Sequence, residues 1–397
     1  MGPAFLPVTR AQEPDKQDCL SHRELLLLLT HMDRQQTNSA AQSATPLREL
    51  HEKSGARFST WFGCELPEVF SDTAEEYCRA REAVALFDTG FRCFFELAGA
   101  DRVRYLNAIS SGDIKELSPG RGAIGLLLNP QGHILAELET FALADRLLVL
   151  SHALVRRRTA ETLEKFIIMD DVTLDDATDR LASIAVAGPR AAELLRALAD
   201  IDLGSLAEFA HAEVKAGAIP YRVVRRAHFG EPGMEIIVER SRVVELWETL
   251  LSAVSTQGGG PIGYAALNAL RLEAGIPWFG HDFDDRFIPH EAALENSHIS
   301  YTKGCYTGQE IVERVRSRGQ VNRRRVGLQF SGSAAPAPGT PLNADGKEAG
   351  FVTSAAFSPA LGTPIGMGYL RREYNAVDST LEYSEGTATI IALPVRM

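Results

Sequence analysis

Lys303-Gly304-Cys305-Tyr306-Thr307-Gly308-Gln309-Glu310 is the most informative segment of the chain. Two glycines bracket a thiol inside a polar turn, and a helix-like stretch, Glu310–Arg318, follows. Glycines at such positions admit positive φ and let backbone approach a ligand closely. A lysine two residues from a cysteine, with a helix N-terminus nearby, lowers a thiol pKa. Cysteine is also among the residue types most often buried. The same segment therefore also reads as a packed turn in which Cys305 is simply small. The residues alone leave both readings open.

Outward from this segment, length and composition set the bounds. A chain of 397 residues accommodates two to three domains at roughly 100–200 residues each. It is long enough to bury a full core without disulfides or metals. A net charge of -11 opposes general nucleic-acid binding, which depends on neutralising phosphates. The five cysteines, Cys19, Cys64, Cys78, Cys93 and Cys305, include no C-x-x-C pair. Neither a disulfide framework nor a zinc ribbon is indicated, and scattered thiols suit a reducing cytoplasm. No apolar run reaches the roughly 18–20 residues of a membrane span. Leu25–Leu29 lacks the basic start and cleavage site of a signal peptide. The expected location is cytoplasmic.

Residues 1–44 read as a flexible extension, with a short helix around Leu20–Met32 and a polar linker from Asp33 to Pro46. Globular patterning begins at Thr45. Helices are expected at Leu47–Lys53, Asp72–Ala85, Asp101–Ile109 and Val155–Phe166. Strands are expected at Phe91–Leu97, Ala123–Leu128, His133–Leu143 and Arg146–Leu150. Strands and helices then alternate again: Ala182–Ala187, Ala191–Leu198, Tyr221–Arg226, Met234–Val238, Arg242–Ser252 and Leu267–Glu273. From Asn322 onward, short strands separated by Gly and Pro clusters predict a small all-β barrel.

The Lys303–Glu310 segment resembles the YgfZ family signature, K-G-C-Y-x-G-Q-E, at every fixed position. Phe287-Ile288-Pro289-His290-Glu291 and Arg318-Gly319 with Asn322-Arg323-Arg324 resemble the flanking F-I-P-x-E and R-G-x-x-N-R-R of that family. The wider chain, from Thr45 to the C-terminus, resembles the aminomethyltransferase superfamily. Landmarks are Leu86-Phe87-Asp88, Gly112-Asp113-Ile114, Ala187-Gly188-Pro189, Arg271–Gly275 and Phe279-Gly280-His281-Asp282. The resemblance implies an α+β, aminomethyltransferase-like folate-binding fold of two related α+β lobes plus a C-terminal β-barrel. The folate-binding region would span residues 45–321 and the barrel 322–397.

The resemblance also implies tetrahydrofolate, or a one-carbon derivative, as the bound cofactor. Its pterin edge asks for a carboxylate, its middle for apolar walls and its glutamate tail for cations. Glu231, in Phe229-Gly230-Glu231-Pro232-Gly233, inherits the carboxylate role by position, although His228-Phe229 and Pro232 depart from the relatives' Y-T-G-E-D-G. Arg271 would meet the folate or its tail, and Tyr306 and Gln309 would contribute from the motif. Asp113 would serve as acid/base, with Cys305 and Lys303 as the further catalytic candidates. The implied function is a YgfZ-type protein supporting maturation or repair of iron–sulfur enzymes, and transfer-RNA modification through them. Its partners would be folate and iron–sulfur enzymes or cluster-assembly proteins, with no membrane. The alternative is an aminomethyltransferase of glycine cleavage. A third reading, direct RNA binding by the arginines at 314, 316, 318 and 323–325, is disfavoured by the negative charge. No metal is expected, because His281, Asp282, Asp284 and Asp285 match no standard ligand spacing.

Overall fold

The run Arg92-Cys93-Phe94-Phe95-Glu96-Leu97-Ala98 buries side chains on both faces of an extended chain, and it forms an inner strand. The computed structural model describes residues 43–199 and 206–395. The helix expected around Leu20–Met32 lies outside them. Arg92–Ala98 belongs to a five-stranded antiparallel sheet ordered Gly122–Leu128, Ile134–Ala142, Leu147–His152, Arg92–Ala98, Thr173–Asp176. Cys93, Phe95 and Leu97 pack with Leu126, Leu138 and Val149 on one face. Strand alternation sends Phe94 to the other face.

The second sheet is ordered His211–Ala216, Ile219–Arg225, Gly233–Glu239, Leu181–Ala187, Ala85–Asp88, Gly260–Pro261. Leu86, Ile184, Val186 and Ile236 face the helix Val243–Thr256, which buries Leu246, Trp247, Leu250 and Val254 against them. On the opposite face, Val224 and Ile237 join Phe94, Phe141, Leu148 and Leu150 of the first sheet in one apolar cluster. The two lobes therefore meet sheet to sheet. Ala85 was expected to end a helix begun at Asp72. That helix is Thr73–Glu82, capped by the Asp72 side chain, and Ala85 already opens a strand paired with Ala187. The buried strand Ala85–Asp88 is too short to show a period. The hairpin strands Arg57–Trp61 and Cys64–Val69 were also not anticipated. Ser43 and Ala44 pair in parallel with Cys64 and Glu65, just ahead of Thr45.

The C-terminal residues close a six-stranded barrel, ordered Arg323–Phe330, Thr363–Arg371, Lys347–Ser358, Pro341–Ala344, Thr380–Tyr383, Gly386–Ile391. Two buried carboxylates, Glu273 through Ser358 Oγ–H and Asp282, join it to the lobe helix and its following loop. Asp282 Oδ2 pairs with Arg271, on the helix Tyr264–Glu273, and accepts Trp278 N–H at 2.9 Å. Asp282 Oδ1 accepts Thr353 Oγ1–H at 2.7 Å and Ser354 Oγ–H, both from the barrel. The Asp282 carbonyl accepts the Tyr369 hydroxyl at 2.9 Å. Arg271 and Asp282 are fully buried. Among the described residues no helix is long and apolar enough to cross a membrane.

Removing one partner of a buried pair strands the other charge, at about 3–5 kcal/mol. Asp282→Ala should lose stability in that range in urea denaturation. Adding Arg271→Met to it should cost less than the sum of the two single changes, because the stranded guanidinium is gone.

Candidate active site

A narrow cleft lies where the lobes meet, walled by Phe62, Phe91, Trp278 and Phe279. Phe62 sits at φ 54° in the tight turn between the strands Arg57–Trp61 and Cys64–Val69. Phe91 and Arg92 enter where the chain passes from the second sheet to the first. Trp278 and Phe279 come from the loop that Asp282 anchors. The space open to water in the cleft is about 50 Å³. That holds one or two waters, so a larger ligand enters only if a wall shifts.

The polar walls are rich in paired charge. Arg92 Nε donates to Glu235 Oε1 at 3.0 Å, and its Nη2 donates to Glu235 Oε2 at 2.8 Å and Glu139 Oε1 at 2.9 Å. Arg226 Nη2 also reaches Glu139 Oε1, at 3.1 Å, and Ser183 Oγ–H reaches Glu235 Oε1 at 2.9 Å. A second carboxylate, Glu137, lies between two histidines, 3.3 Å from His152 Nε2 and 2.9 Å from His298 Nε2. Burial by itself raises the Glu137 pKa. The bonds from His152 and His298 overcome that and hold it well below the usual carboxylate range. Several buried polar atoms here have no protein partner: Glu139 Oε2, His152 Nδ1, Arg226 Nε and His228 Nε2.

Asp113 and Lys303 are brought together. Lys303 Nζ donates to the carbonyls of Asn107 and Ser110 at 2.6 Å and of Gly112 at 2.7 Å. The ammonium thus caps the C-terminal end of the helix Arg102–Ile109 and grips the loop carrying Asp113. Burial draws the Lys303 pKa down to about 8, against the opposing field of Asp113. Gly112 is required, since a Cβ there would stand 2.5 Å from the Ile124 carbonyl oxygen. Asp113 itself is half-buried and accepts Lys115 N–H at 3.2 Å. Cys305 is exposed and free, Tyr306 packs into the first-lobe core, and Gln309 opens the helix Gln309–Arg318.

Glu231 and Arg271 stand apart from these. Glu231 Oε1 takes Arg81 Nη1 at 3.4 Å and is not among the walls of the cleft. Arg271 stacks its guanidinium over Trp278, 4.5 Å from the ring centre, and pairs with Asp282. The titratable groups that do wall the cleft, Arg92, Glu137, His152, Arg226 and His228, were not anticipated. Their signal was polar residues inside buried strand runs: Glu137 and Glu139 in Leu135–Thr140, and Glu235 in Met234–Val238.

Two α+β lobes meeting at a polar cleft, with a closed barrel, make an aminomethyltransferase-like fold. Residues 47–298 match the GCVT N-terminal domain family, and residues 323–395 match the glycine cleavage T-protein C-terminal barrel domain. The chain belongs to this family. It is 32% identical to an aminomethyltransferase of Symbiobacterium thermophilum over 85% of this chain and 92% of that protein. It is 30% identical to one of Nostoc sp. over 88% and 94%. The crystal structure of glycine cleavage system aminomethyltransferase T from Bartonella henselae superposes with a TM-score of 0.80 at 25% identity, covering 90% of this chain and 98% of that one.

These relationships correct the expected YgfZ-type role in iron–sulfur enzyme maturation and its iron–sulfur partners, since relatives matched over nearly their whole length are aminomethyltransferases. The motif that suggested the role has local packing work. Lys303 holds a loop, Tyr306 fills a core, and Gly308 takes φ 83° where a Cβ would meet Asn129 O at 2.7 Å.

Lys303→Met should leave the three carbonyls without their donor. Stability should fall by about 2–3 kcal/mol, and amides 110–115 should exchange hydrogen faster than in the parent. Acid should also act early. Burial, the largest cause in each case, lowers the pKa of His152 and His228 and brings those of His211 and His281 to about 4. The unfolded chain takes up protons as pH falls through about 6.5, while the folded chain does not. Stability is therefore lost below pH 6.5, each such histidine adding up to about 1.4 kcal/mol per pH unit to the slope. Urea midpoints measured between pH 7.5 and 5 check this.

Proposed function

We propose that the chain is an aminomethyltransferase of the glycine-cleavage type, passing a one-carbon unit from a carrier-bound aminomethyl group to tetrahydrofolate. The observation that carries the reading is the set of unpartnered buried polar atoms around an aromatic-walled cleft. It is supported by relatives of that name matched over most of their length. A pterin presents a flat apolar face and an edge of donors. Phe62, Phe91 and Trp278 line the cleft and suit the face. Glu139 Oε2, an acceptor with no protein partner that lies behind the lining residues Arg92 and Arg226, suits the edge. The arginines at 92 and 226 both pair with the other oxygen of Glu139, Oε1.

Asp113 is assigned the proton-transfer role between amine and folate. Lys303 fixes the backbone on which it stands. Glu231 and Arg271 are assigned structural pairings, with Arg81 and Asp282. The free thiols at 64, 78, 93 and 305 are in keeping with a reducing cytoplasm.

Purified protein should support tetrahydrofolate-dependent glycine cleavage when supplied with the other components of the system. Asp113→Asn should lower kcat by about 10²–10⁴, while Cys305→Ser should leave it near the parent value. Calorimetry should show saturable tetrahydrofolate binding that Glu139→Gln weakens. A chain that neither binds tetrahydrofolate nor turns over would overturn the assignment.

A further inference from the structure

His152 ends a strand of the first sheet and stands at the wall of the cleft. Its ring stacks on Phe91 and tilts against Phe279, each with centroids 5.1 Å away. Nε2 faces Glu137 Oε2 at 3.3 Å. An ionised carboxylate only accepts, so Nε2 carries the ring proton and Nδ1 keeps a lone pair. Nδ1 is buried and has no partner. The connection continues beyond Glu137. Its Oε1 faces His298 Nε2 at 2.9 Å, and His298 Nδ1 lies 2.7 Å from the Ser297 hydroxyl. Ser297 is exposed. Four side chains thus run from the cleft wall to solvent, in contact at every step.

Sheet packing needs none of this. An apolar residue at 152 would stack on Phe91 equally well, without a buried lone pair to desolvate. A carboxylate behind an imidazole fixes its tautomer and stabilises the cation formed when the ring takes a proton. From this geometry we infer that His152 Nδ1 accepts the proton released by the ligand nitrogen in the cleft, with Glu137 as its positioning residue and His298–Ser297 as its exchange route to water.

The inference rests on the aminomethyltransferase reading, and the step balances within it. The folate nitrogen uses its lone pair to form the bond to the one-carbon unit. Its N–H bond then breaks, the electron pair stays on nitrogen, and the proton moves to Nδ1. The departing amine leaves with its bonding pair and takes up one proton. Release from the carrier repeats the exchange: a second folate nitrogen bonds to the one-carbon unit and loses its proton, while the carrier atom leaves with its bonding pair and takes up a proton, so no net proton is lost.

The charges facing His152 are Glu137 and Glu139, which favour its cation, and Arg92, which opposes it. The neighbouring ring of His281 is neutral at pH 7. Burial lowers the His152 pKa more than Glu137 raises it, so the free base is the form present at neutral pH.

Nitrogen-15 NMR of the whole chain should show His152 in the Nε2–H form, with Nδ1 unprotonated, and Glu137→Gln should remove that preference. His152→Gln keeps a donor towards Glu137 and should fold like the parent by circular dichroism. Its kcat should fall about 10²–10⁴-fold while tetrahydrofolate affinity stays within about threefold, and the acid limb of the kcat profile should disappear. His298→Gln should keep more of the rate than His152→Gln does. A parent chain without transfer activity overturns this inference together with the functional reading. An active parent in which His152→Gln retains kcat and its acid limb, or in which Nδ1 carries the proton, overturns this inference alone.

Discussion

Asp282 is the residue on which the relation between barrel and lobes depends. Its two carboxylate oxygens and its carbonyl take donors from a lobe helix, from its own loop and from two barrel strands. A carboxylate has about four acceptor positions, and four donors occupy them here. Burying an ion pair is costly unless its remaining hydrogen-bonding capacity is met. The Asp282 carboxylate has its share met in full, which explains how it persists fully buried beside Tyr369 and Met367, while Arg271 Nη2 has no partner. Arg271 is held in turn by Asn268 Oδ1 at 2.9 Å and the Ile276 carbonyl at 3.2 Å. The same anchor sets Trp278 over the guanidinium and so places one aromatic wall of the cleft.

The cleft follows the same logic with a different balance. At the lobe junction Arg92 crosses from one sheet to carboxylates on both, which fixes the sheets against each other without filling every lone pair. The atoms left over, Glu139 Oε2, His152 Nδ1, Arg226 Nε and His228 Nε2, all lie in or beside one cleft. Buried polar atoms are nearly always partnered. Four such atoms lie at this one place, against one, Arg271 Nη2, in the polar knot around Asp282.

The fold was legible because its periods are clean. The barrel announced itself through short strands between Gly and Pro clusters, and the inner strand at 92–98 through its aromatic run. The short strands at 85–88 and 173–176 escaped notice, since four residues carry too little periodicity to separate them from their flanks. The site was less legible. Glu231 drew attention because a glycine-flanked acid looks ligand-facing, yet burial is set by which sheet face meets the other lobe. That face belongs to Glu235, four residues on, which is fully buried. Asp113 and Lys303 are 190 positions apart in the chain, and their proximity depends on three carbonyls that no side-chain pattern encodes. The Lys303–Glu310 segment pointed to the right superfamily and to the wrong role, because its rare residues answer to local geometry.

Three consecutive arginines open the barrel and reach back onto the loop before it. Arg323 takes Glu291, Arg324 takes Glu295 and the His290 carbonyl, and Arg325 takes the Ala292 carbonyl. Each acceptor precedes its donor by about thirty residues, and the donors to Asp282 from Thr353, Ser354 and Tyr369 come later still. A chain made from its N-terminus folds in that direction where it can. Here the loop bearing Trp278 leaves the ribosome before the residues that fix it. The lobes can form their sheets during synthesis, but the wall of the cleft is set only once the strand Thr363–Arg371 has been translated.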